Sequence, residues 1–265
     1  MSARGGALAG IDTMAIMAPL TLANSHPTLL RVLQPGMSVL DVGCGPGTLT
    51  TEIARRVDPA AVVGMDANPE MIRAAEEVSP PGAIPNLIFY ASDIRESEWH
   101  EEWDVVNAAR SLQWIPDPIV ALRRMVSAAV AGGLVVVLDV DHTRAGWNDP
   151  PRAWTRFHQA FLAWRESCRL DNAVGGHLSL LCDEVGIVET ASTSTVTIVR
   201  ADDHDFFRAA GRWRMMIESR GRQMVAAGYL AETDRRHALD AFTEWMNDPN
   251  STQTVHETCI VARRP

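Results

Sequence analysis

The residues most able to do chemistry are three glycines on alternate positions, which follow a short apolar run ending in an acid. The acid is Asp41, and the glycines are Gly43, Gly45 and Gly47. Glycine tolerates the tight backbone of such a bend, and the amide groups of a following helix can face a ligand. A second acid, Asp66, closes the next apolar run, where an α/β nucleotide fold places a carboxylate on ribose hydroxyls. The spacing predicts a nucleotide-binding bend.

Two details of this bend separate ligands that use similar turns. A dinucleotide fingerprint starting at Gly43 needs glycine or alanine at position 48, where this chain has Thr48. Asp41 is also unfavourable beside a pyrophosphate, because an anion prefers the bare amide groups of a helix N-terminus. The pattern therefore favours a cationic ligand over a dinucleotide.

The segment from Val39 to Gly47 resembles the first motif of the class I S-adenosylmethionine-dependent methyltransferases. The cofactor of that family carries a sulfonium and an α-ammonium group, which acids attract. Later segments follow in the family's order, so that the resemblance covers roughly residues 30 to 140. It implies that Asp93 meets the adenine amino group and that the backbone amide of Ile94 meets a ring nitrogen.

The fourth apolar run, Trp103 to Arg110, resembles the family's fourth strand, whose tip lies along the methionine part of the cofactor. The following segment, Ser111 to Asp117, is similar to that of trans-aconitate-type and ubiquinone-pathway members. Gln113 and Trp114 are predicted to orient and stack the methyl acceptor, although Trp114 could equally anchor the loop. The cofactor residues that the resemblance implies are Asp41, Gly43, Gly45, Gly47, Asp66, Ala67, Asp93, Ile94, Ala109 and Arg110.

Composition narrows the class of protein. The 265 residues carry 24 Lys and Arg against 33 Asp and Glu, a formal charge of -9, which disfavours nucleic acid as a partner. Four cysteines show neither ligand spacing nor the density of a disulfide framework, so we expect reduced thiols, no zinc and a cytoplasmic location. The sequence shows no secretory pattern and no apolar run long enough for a membrane span. It leaves the oligomeric state open.

Alternating apolar runs and helical patterns predict a doubly wound, Rossmann-like α/β sheet of seven strands, the last antiparallel in the resembling family. We expect a cofactor-binding core with an N-terminal segment over residues 1–140. Residues 141–265 are expected to hold helical cap insertions, about 150–185 and 202–247, and the last two strands. The strands are expected near 37–41, 61–65, 86–91, 103–109, 133–140, 187–199 and 255–261.

Aromatic residues with helical spacing occupy one side of the first predicted cap helix: Trp154, Phe157, Phe161 and Trp164, with Cys168. Such a stripe is usually a packing face, and part of it could also line a substrate pocket. Nearer the N-terminus, Met14, Ile16, Met17 and Leu20 could form a short amphipathic segment over the ligand or a frayed end.

Methyl transfer from a sulfonium is an in-line displacement that requires the acceptor atom about 3 to 3.5 Å from the methyl carbon. The donor is already activated, so no metal is needed, and a base matters only when the acceptor must lose a proton. His142 follows the fifth strand at the carboxyl edge, where α/β proteins bind ligands, and is the candidate base. The alternative is a structural histidine held by Asp139 or Asp141.

These features predict an S-adenosylmethionine-dependent methyltransferase that acts on oxygen or nitrogen, and less readily on carbon, of a small, partly apolar metabolite. Two other functions stay open on the sequence alone. One is a cofactor-binding protein of the same fold that transfers no methyl group, and the other is a nicotinamide-dependent oxidoreductase, which Thr48 and Asp41 disfavour.

Overall fold

The computed structural model describes residues 20–201, 203 and 206–265, and its centre is a mostly parallel β-sheet. The predicted segment with Met14, Ile16 and Met17 lies outside these residues. The helices are α1 (Leu22–Ser25), α2 (Pro27–Val32), α3 (Thr48–Val57), α4 (Pro69–Val78), α5 (Pro118–Ala128), α6 (Arg152–Ser167), α7 (Val174–Val185), α8 (Phe206–Ala226) and α9 (Glu232–Met246). The strands are β1 (Val39–Val42), β2 (Val62–Asp66), β3 (Leu87–Ala91), β4 (Trp103–Ala109), β5 (Ala129–Val140), β6 (Gly146–Trp147), β7 (Val188–Arg200) and β8 (Thr252–Arg263).

The strand order is β3-β2-β1-β4-β5-β8-β6, and β7 also pairs with β8. Strands β1 to β5 pair in parallel, whereas β8 runs antiparallel to β5. The doubly wound fold and the antiparallel last strand are thereby confirmed. Within the described residues the sheet has eight strands where seven were predicted, because Gly146 and Trp147 add a two-residue strand against β8. So short a pairing leaves no alternation in the sequence to detect.

Alternate residues of the central strands serve two separate hydrophobic cores, as a sheet covered on both faces requires. Leu40, Val63, Val106 and Val135 belong to the core that also holds residues of α5 and α7. Their neighbours in sequence belong to a second core with residues of α1, α2 and α3: Val39, Val62, Val105 and Val136. The unbroken apolar runs of the sequence are therefore buried on both sides of the sheet.

The chain forms two compact units. Unit 1 comprises residues 20–140, 174–194 and 257–265, and unit 2 comprises residues 141–173, 195–201, 203 and 206–256, within the described chain. The predicted cap stretch 150–185 divides between them, because α7 supplies Val174, Leu178 and Cys182 to a core of unit 1. Residues 150–173 of that stretch, which include α6, belong to unit 2. The other predicted cap stretch, 202–247, contains α8 and α9.

Unit 2 is built around aromatic side chains. The four aromatic residues of the stripe on α6 are buried. The ring centroid of Trp154 lies 4.3 Å from that of Phe242 on α9 and 5.2 Å from that of Trp213 on α8. Phe157 stacks on Trp154 along the same helix. The stripe is a packing face between helices, as the periodicity indicated. Within the described residues, no helix is long and apolar enough to cross a membrane.

Candidate functional site

The glycine-rich bend follows β1 and has a backbone that only glycine adopts easily. The φ angles of Gly43, Gly45 and Gly47 are 73°, 54° and 74°, in the left-handed region. The amides of Gly43 and Cys44 both donate to the carbonyl of Met65, at 2.7 and 2.9 Å, which ties the bend to β2. The bend ends where Gly47 starts α3, so that the N-terminus of this helix faces the carboxyl edge of the sheet.

Close packing also excludes side chains from this bend. A Cβ atom on Gly43 would lie 2.3 Å from Oγ of Ser111, and one on Gly47 would lie 2.6 Å from Cζ of Phe89. The Phe89 ring also covers Gly64, where an added Cβ would lie 2.6 Å from Cδ1 of Phe89. These two residues are register partners on β3 and β2. Sequence reasoning missed Phe89 and Ser111, since nothing local marks a ring or hydroxyl that packs against a distant glycine.

Asp66 ends β2 and holds the bend with its carboxylate. Oδ2 accepts from the amide of Gly45 at 3.0 Å, and Oδ1 accepts from the amide of Asn68 at 2.8 Å. Burial raises the pKa of Asp66, against the opposing effect of these two amides. Each oxygen of a carboxylate can accept more than one hydrogen bond, so the side chain keeps capacity for ligand hydroxyls.

Asp41 lies one strand away and is 4% exposed. Its carboxylate accepts from Oγ1 of Thr50 at 2.6 Å and from Nδ2 of Asn107 at 2.7 Å. Burial raises the pKa of Asp41, and the charge of Asp66 adds to that effect, while the two hydrogen bonds oppose it. Both donors are neutral, so neither brings a positive charge to the carboxyl group of Asp41.

A small cleft opens beside the bend. Its lining consists of Leu20, Asp41, Gly43, Cys44, Pro46, Thr48, Leu49 and Ala109. Burial and the neighbouring carboxylates raise the pKa of the Cys44 thiol well above its ordinary value, so the thiol is protonated and not a nucleophile. The cleft therefore combines apolar walls, backbone amides and the carboxyl group of Asp41, which suits a cationic ligand better than a pyrophosphate.

A family described as "Methyltransferase domain" matches residues 33–192, which is more than half of the chain. The chain belongs to this methyltransferase family. Its fold and motifs are those of the class I S-adenosylmethionine-dependent enzymes, and the Asp41 carboxyl group in the glycine cleft is compatible with that cofactor's cationic groups.

Several known proteins are similar to this chain. A trans-aconitate 2-methyltransferase of Methylobacterium radiotolerans is 29% identical over 223 residues, 81% of this chain and 80% of that protein. One of Escherichia coli strain UMN026 is 30% identical over 129 residues, 49% of this chain. That match spans 46% of the Escherichia coli protein, about half its length. A phosphoethanolamine N-methyltransferase 2 of Haemonchus contortus has a TM-score of 0.61 at 16% identity and covers 96% of this chain and 56% of its own, which shows the shared fold.

The residues predicted to contact adenine lie after β3. Burial alone would raise the pKa of Asp93, but hydrogen bonds from Arg95 lower it below its ordinary value. Nε of Arg95 lies 3.1 Å from both carboxylate oxygens of Asp93. Ile94 is buried, and Ala67, which follows Asp66, is exposed. The Arg95 contact fixes the Asp93 carboxylate and is a feature that the motif did not predict.

A small residue and a charged residue follow each other at the tip of β4. Ala109 lines the cleft. Arg110 has a φ of 57°, and its guanidinium binds other residues of unit 1. Nε of Arg110 donates to Oε1 of Glu257 at 2.6 Å, and another nitrogen donates to the carbonyl of Ser25 at 3.2 Å. The side chain of Arg110 thus joins β4, β8 and α1 within unit 1.

The predicted acceptor residues occupy the turn Leu112–Trp114, also in unit 1. Gln113 is buried and donates from Nε2 to the carbonyl of Arg110 at 3.1 Å, while its backbone amide donates to the fully buried Asp139. Trp114 is half-buried. Gln113 is therefore held in a fixed orientation.

The candidate base His142 lies in unit 2, in the turn His142–Arg144, whereas the predicted cofactor residues lie in unit 1. Its ring meets Phe161 and Trp213 edge-on, each at a centroid distance of 5.7 Å. Burial lowers the pKa of His142 well below its usual value, with contributions from Arg165 and His158. The imidazole is consequently neutral at pH 7 and can accept a proton. Asp141 is engaged by Thr143, and Asp139 by the amides of Gln113 and Val140.

The side chains that commonly bind metals were predicted to form no metal site in this protein. Across residues 20–201, 203 and 206–265, no group of three or more His, Cys, Asp or Glu side chains is arranged to hold a metal ion. Cys44, Cys168, Cys182 and Cys259 are free thiols.

Proposed function

We propose that this protein is an S-adenosylmethionine-dependent methyltransferase that methylates oxygen or nitrogen, and less readily carbon, of a small, partly apolar metabolite. The observation that carries the proposal is Asp41, a nearly buried carboxylate that lines the glycine cleft and receives hydrogen bonds from neutral groups. A buried charge of this kind is costly unless a cation completes its environment.

The residues of this chain are proposed to bind and orient both reactants. The cofactor supplies an electrophilic methyl group that needs no further activation. The glycine bend gives close backbone approach, Asp66 holds the ribose hydroxyls, and Asp93 with Ile94 recognises adenine. Ala109 leaves room at the tip of β4, and holding reactants in line accounts for much of such a rate enhancement.

For the acceptor, we propose Gln113 and Trp114 as the binding residues and His142 as the group that takes its proton. The orientation of Gln113 is fixed by its contacts to Arg110 and Asp139, which supports a positioning role. The lowered pKa of His142 keeps its ring neutral at pH 7, the form that a proton acceptor needs, while the same shift makes the ring a weaker base. The names of the relatives, trans-aconitate 2-methyltransferase and phosphoethanolamine N-methyltransferase, support a small-molecule acceptor. The net charge of -9 argues against nucleic acid.

Calorimetric titration tests the cofactor assignment. Purified protein is titrated with S-adenosylmethionine, with S-adenosylhomocysteine and with NAD. The proposal expects binding of the first two and none of the third. Preference for NAD would contradict it.

A turnover assay tests the activity itself. The protein is incubated with methyl-labelled cofactor and a panel of carboxylic acids including trans-aconitate, phenols and amines, and the release of S-adenosylhomocysteine is measured by mass spectrometry. Release that depends on one acceptor class identifies the methylated atom. Cofactor binding without release for any member, including a metabolite extract, would indicate a binding protein of the same fold.

A further inference from the structure

Four buried polar side chains form one chain of hydrogen bonds that ends at the glycine cleft. Thr50 and Asn107 donate to Asp41, and Oδ1 of Asn107 lies 3.0 Å from Nε2 of His26. Nδ1 of His26 in turn accepts from the amide of Leu29 at 3.4 Å. Thr50, Asn107 and His26 have no exposed surface, whereas Asp41 lines the cleft.

The backbone amide of Leu29 determines which ring nitrogen of His26 carries the proton. The amide of Leu29 is a donor, so Nδ1 of His26 is an acceptor and the proton of the neutral ring is on Nε2. Nε2 then donates to Oδ1 of Asn107, which directs the Nδ2 amino group of Asn107 toward Asp41. With the proton on Nδ1, the two acceptors Nε2 and Oδ1 would face each other. The tautomer of His26 thus orients Asn107 so that its Nδ2 amino group donates to Asp41.

Different charges act on His26 and on Asp41, the two titratable residues of this hydrogen-bond chain. Burial and the nearby Arg110 lower the pKa of His26 to about 4, opposed by Asn107 and Glu257, so the ring stays neutral at pH 7. Asp41 faces the carboxylate of Asp66 and the protonated thiol of Cys44. Hydrogen bonds from Thr50 and Asn107 are the contacts that favour the ionised form of Asp41.

We propose that His26 and Asn107 are positioning residues of the cofactor site, which orient the Asp41 carboxylate and favour its ionised form toward the cationic end of the ligand. This inference rests on the proposed function, because the ligand is the cofactor named there. Neither residue lines the cleft, so both act through Asp41. The register explains the pairing, since Asp41 on β1 lies opposite Asn107 on β4.

The first test uses the protein without ligand. In ¹⁵N NMR spectra, His26 of the wild type is expected as the neutral ring with the proton on Nε2 between pH 6 and pH 8, and the other tautomer would overturn the inference. The pKa of Asp41 is then followed by ¹³C NMR in His26→Phe and His26→Gln. Phe removes the donor, whereas the Gln amide can replace it. We expect a rise of about one pH unit in His26→Phe and a wild-type value in His26→Gln.

The second test measures the affinity for S-adenosylhomocysteine by calorimetry. His26→Phe is expected to bind about tenfold more weakly and His26→Gln about as well as the wild type. In an Asn107→Leu background, His26→Phe is expected to cause no further loss, because the link to Asp41 is already broken. Equal losses in both His26 variants, or additive losses with Asn107→Leu, would overturn the inference. If the wild type shows the predicted His26 tautomer and the variants show the predicted Asp41 pKa values, but the wild type binds no cofactor, the proposed function is contradicted instead.

Discussion

At the scale of single residues, the proposed cofactor site depends on Asp41 and Asp66, two carboxyl groups whose hydrogen-bond donors are uncharged. Burial raises the pKa of Asp41 and of Asp66, and the hydrogen-bond donors to both are uncharged groups. A cation placed beside either carboxylate would favour its ionised form and lower that pKa. Ligand binding and ionisation are therefore linked, and the affinity for the cationic cofactor should increase as the pH rises through these raised pKa values and then level off.

Removal of Asp66 tests the predicted ribose contact. Asp66→Ala should weaken the binding of S-adenosylhomocysteine about 10- to 100-fold, because hydrogen bonds to a charged acceptor are lost. Calorimetry measures the affinity, and circular dichroism checks that the fold is retained. Glu77→Ala, at an exposed acid of α4, is the matched control and should bind normally. Equal affinity of both variants would remove Asp66 from the site.

The role of His142 is tested by separating turnover from binding. His142→Gln should lower kcat about 100-fold if the residue accepts the acceptor's proton, with little change in cofactor affinity. The low pKa of His142 keeps the wild-type ring neutral as the pH falls below 6.5, so the wild type should retain activity into mildly acidic conditions. Unchanged turnover of the variant would show a purely structural histidine packed against Phe161 and Trp213.

At the scale of elements, the bend between β1 and α3 combines two separate constraints on its glycines. Gly47 has a positive φ and also lies under Phe89 of β3, so it needs both backbone freedom and the absence of a side chain. Gly82 has a positive φ of 82° but no atom within 4 Å of a Cβ placed there. Substitution of Gly82 therefore measures backbone strain alone, whereas substitution of Gly47 measures strain together with steric overlap.

Gly82→Ala should lower the free energy of unfolding by about 1 to 2 kcal/mol, the cost of the left-handed backbone. Gly47→Ala should cost more and should also weaken cofactor binding, because its Cβ would lie 2.6 Å from the Phe89 ring. Urea denaturation measures both variants. Restoration of part of the loss by Phe89→Leu in the Gly47→Ala background would identify the ring as the cause. Equal costs at the two glycines would contradict this explanation.

At the scale of the whole molecule, buried neutral histidines make stability depend on pH. The pKa of His26 is lowered from 6.5 to about 4 by burial, so the unfolded chain binds a proton that the folded chain does not. Stability from this residue is complete above the unfolded pKa of 6.5 and is lost as the pH falls toward 4. His158, whose pKa burial also lowers to about 4, acts in the same direction, whereas the raised pKa values of Asp41 and Asp66 act against it.

A comparison of variants isolates the contribution of one histidine from the opposing carboxylates. The difference in unfolding free energy between the wild type and His26→Gln should decrease by about 3 kcal/mol between pH 7 and pH 4. Denaturation curves at several pH values give this difference. The same substitution at the exposed His237 is the control. A difference that does not vary with pH would show that His26 titrates alike in both states.

The sequence by itself determined the alternation of strands and helices, the glycine bend and the family. Apolar runs, turn residues and the order of Asp41, Gly43, Gly45, Gly47 and Asp66 are local, so short-range steric and hydrophobic preferences express them directly. The same reasoning predicted the antiparallel last strand, through the family that the motifs resemble. It also indicated the packing face of α6, because helical spacing fixes which side chains share a side.

Only the tertiary structure decided which distant residues meet. Asn107 lies 66 positions from Asp41 and 81 from His26, and these contacts exist because strand register and the packing of α1 and α2 bring them together. The same holds for Phe89 over Gly47, for Glu257 on Arg110 and for α7 in the core of unit 1. Such contacts leave no local pattern, since they depend on closing long loops around a shared core rather than on the preference of any one segment.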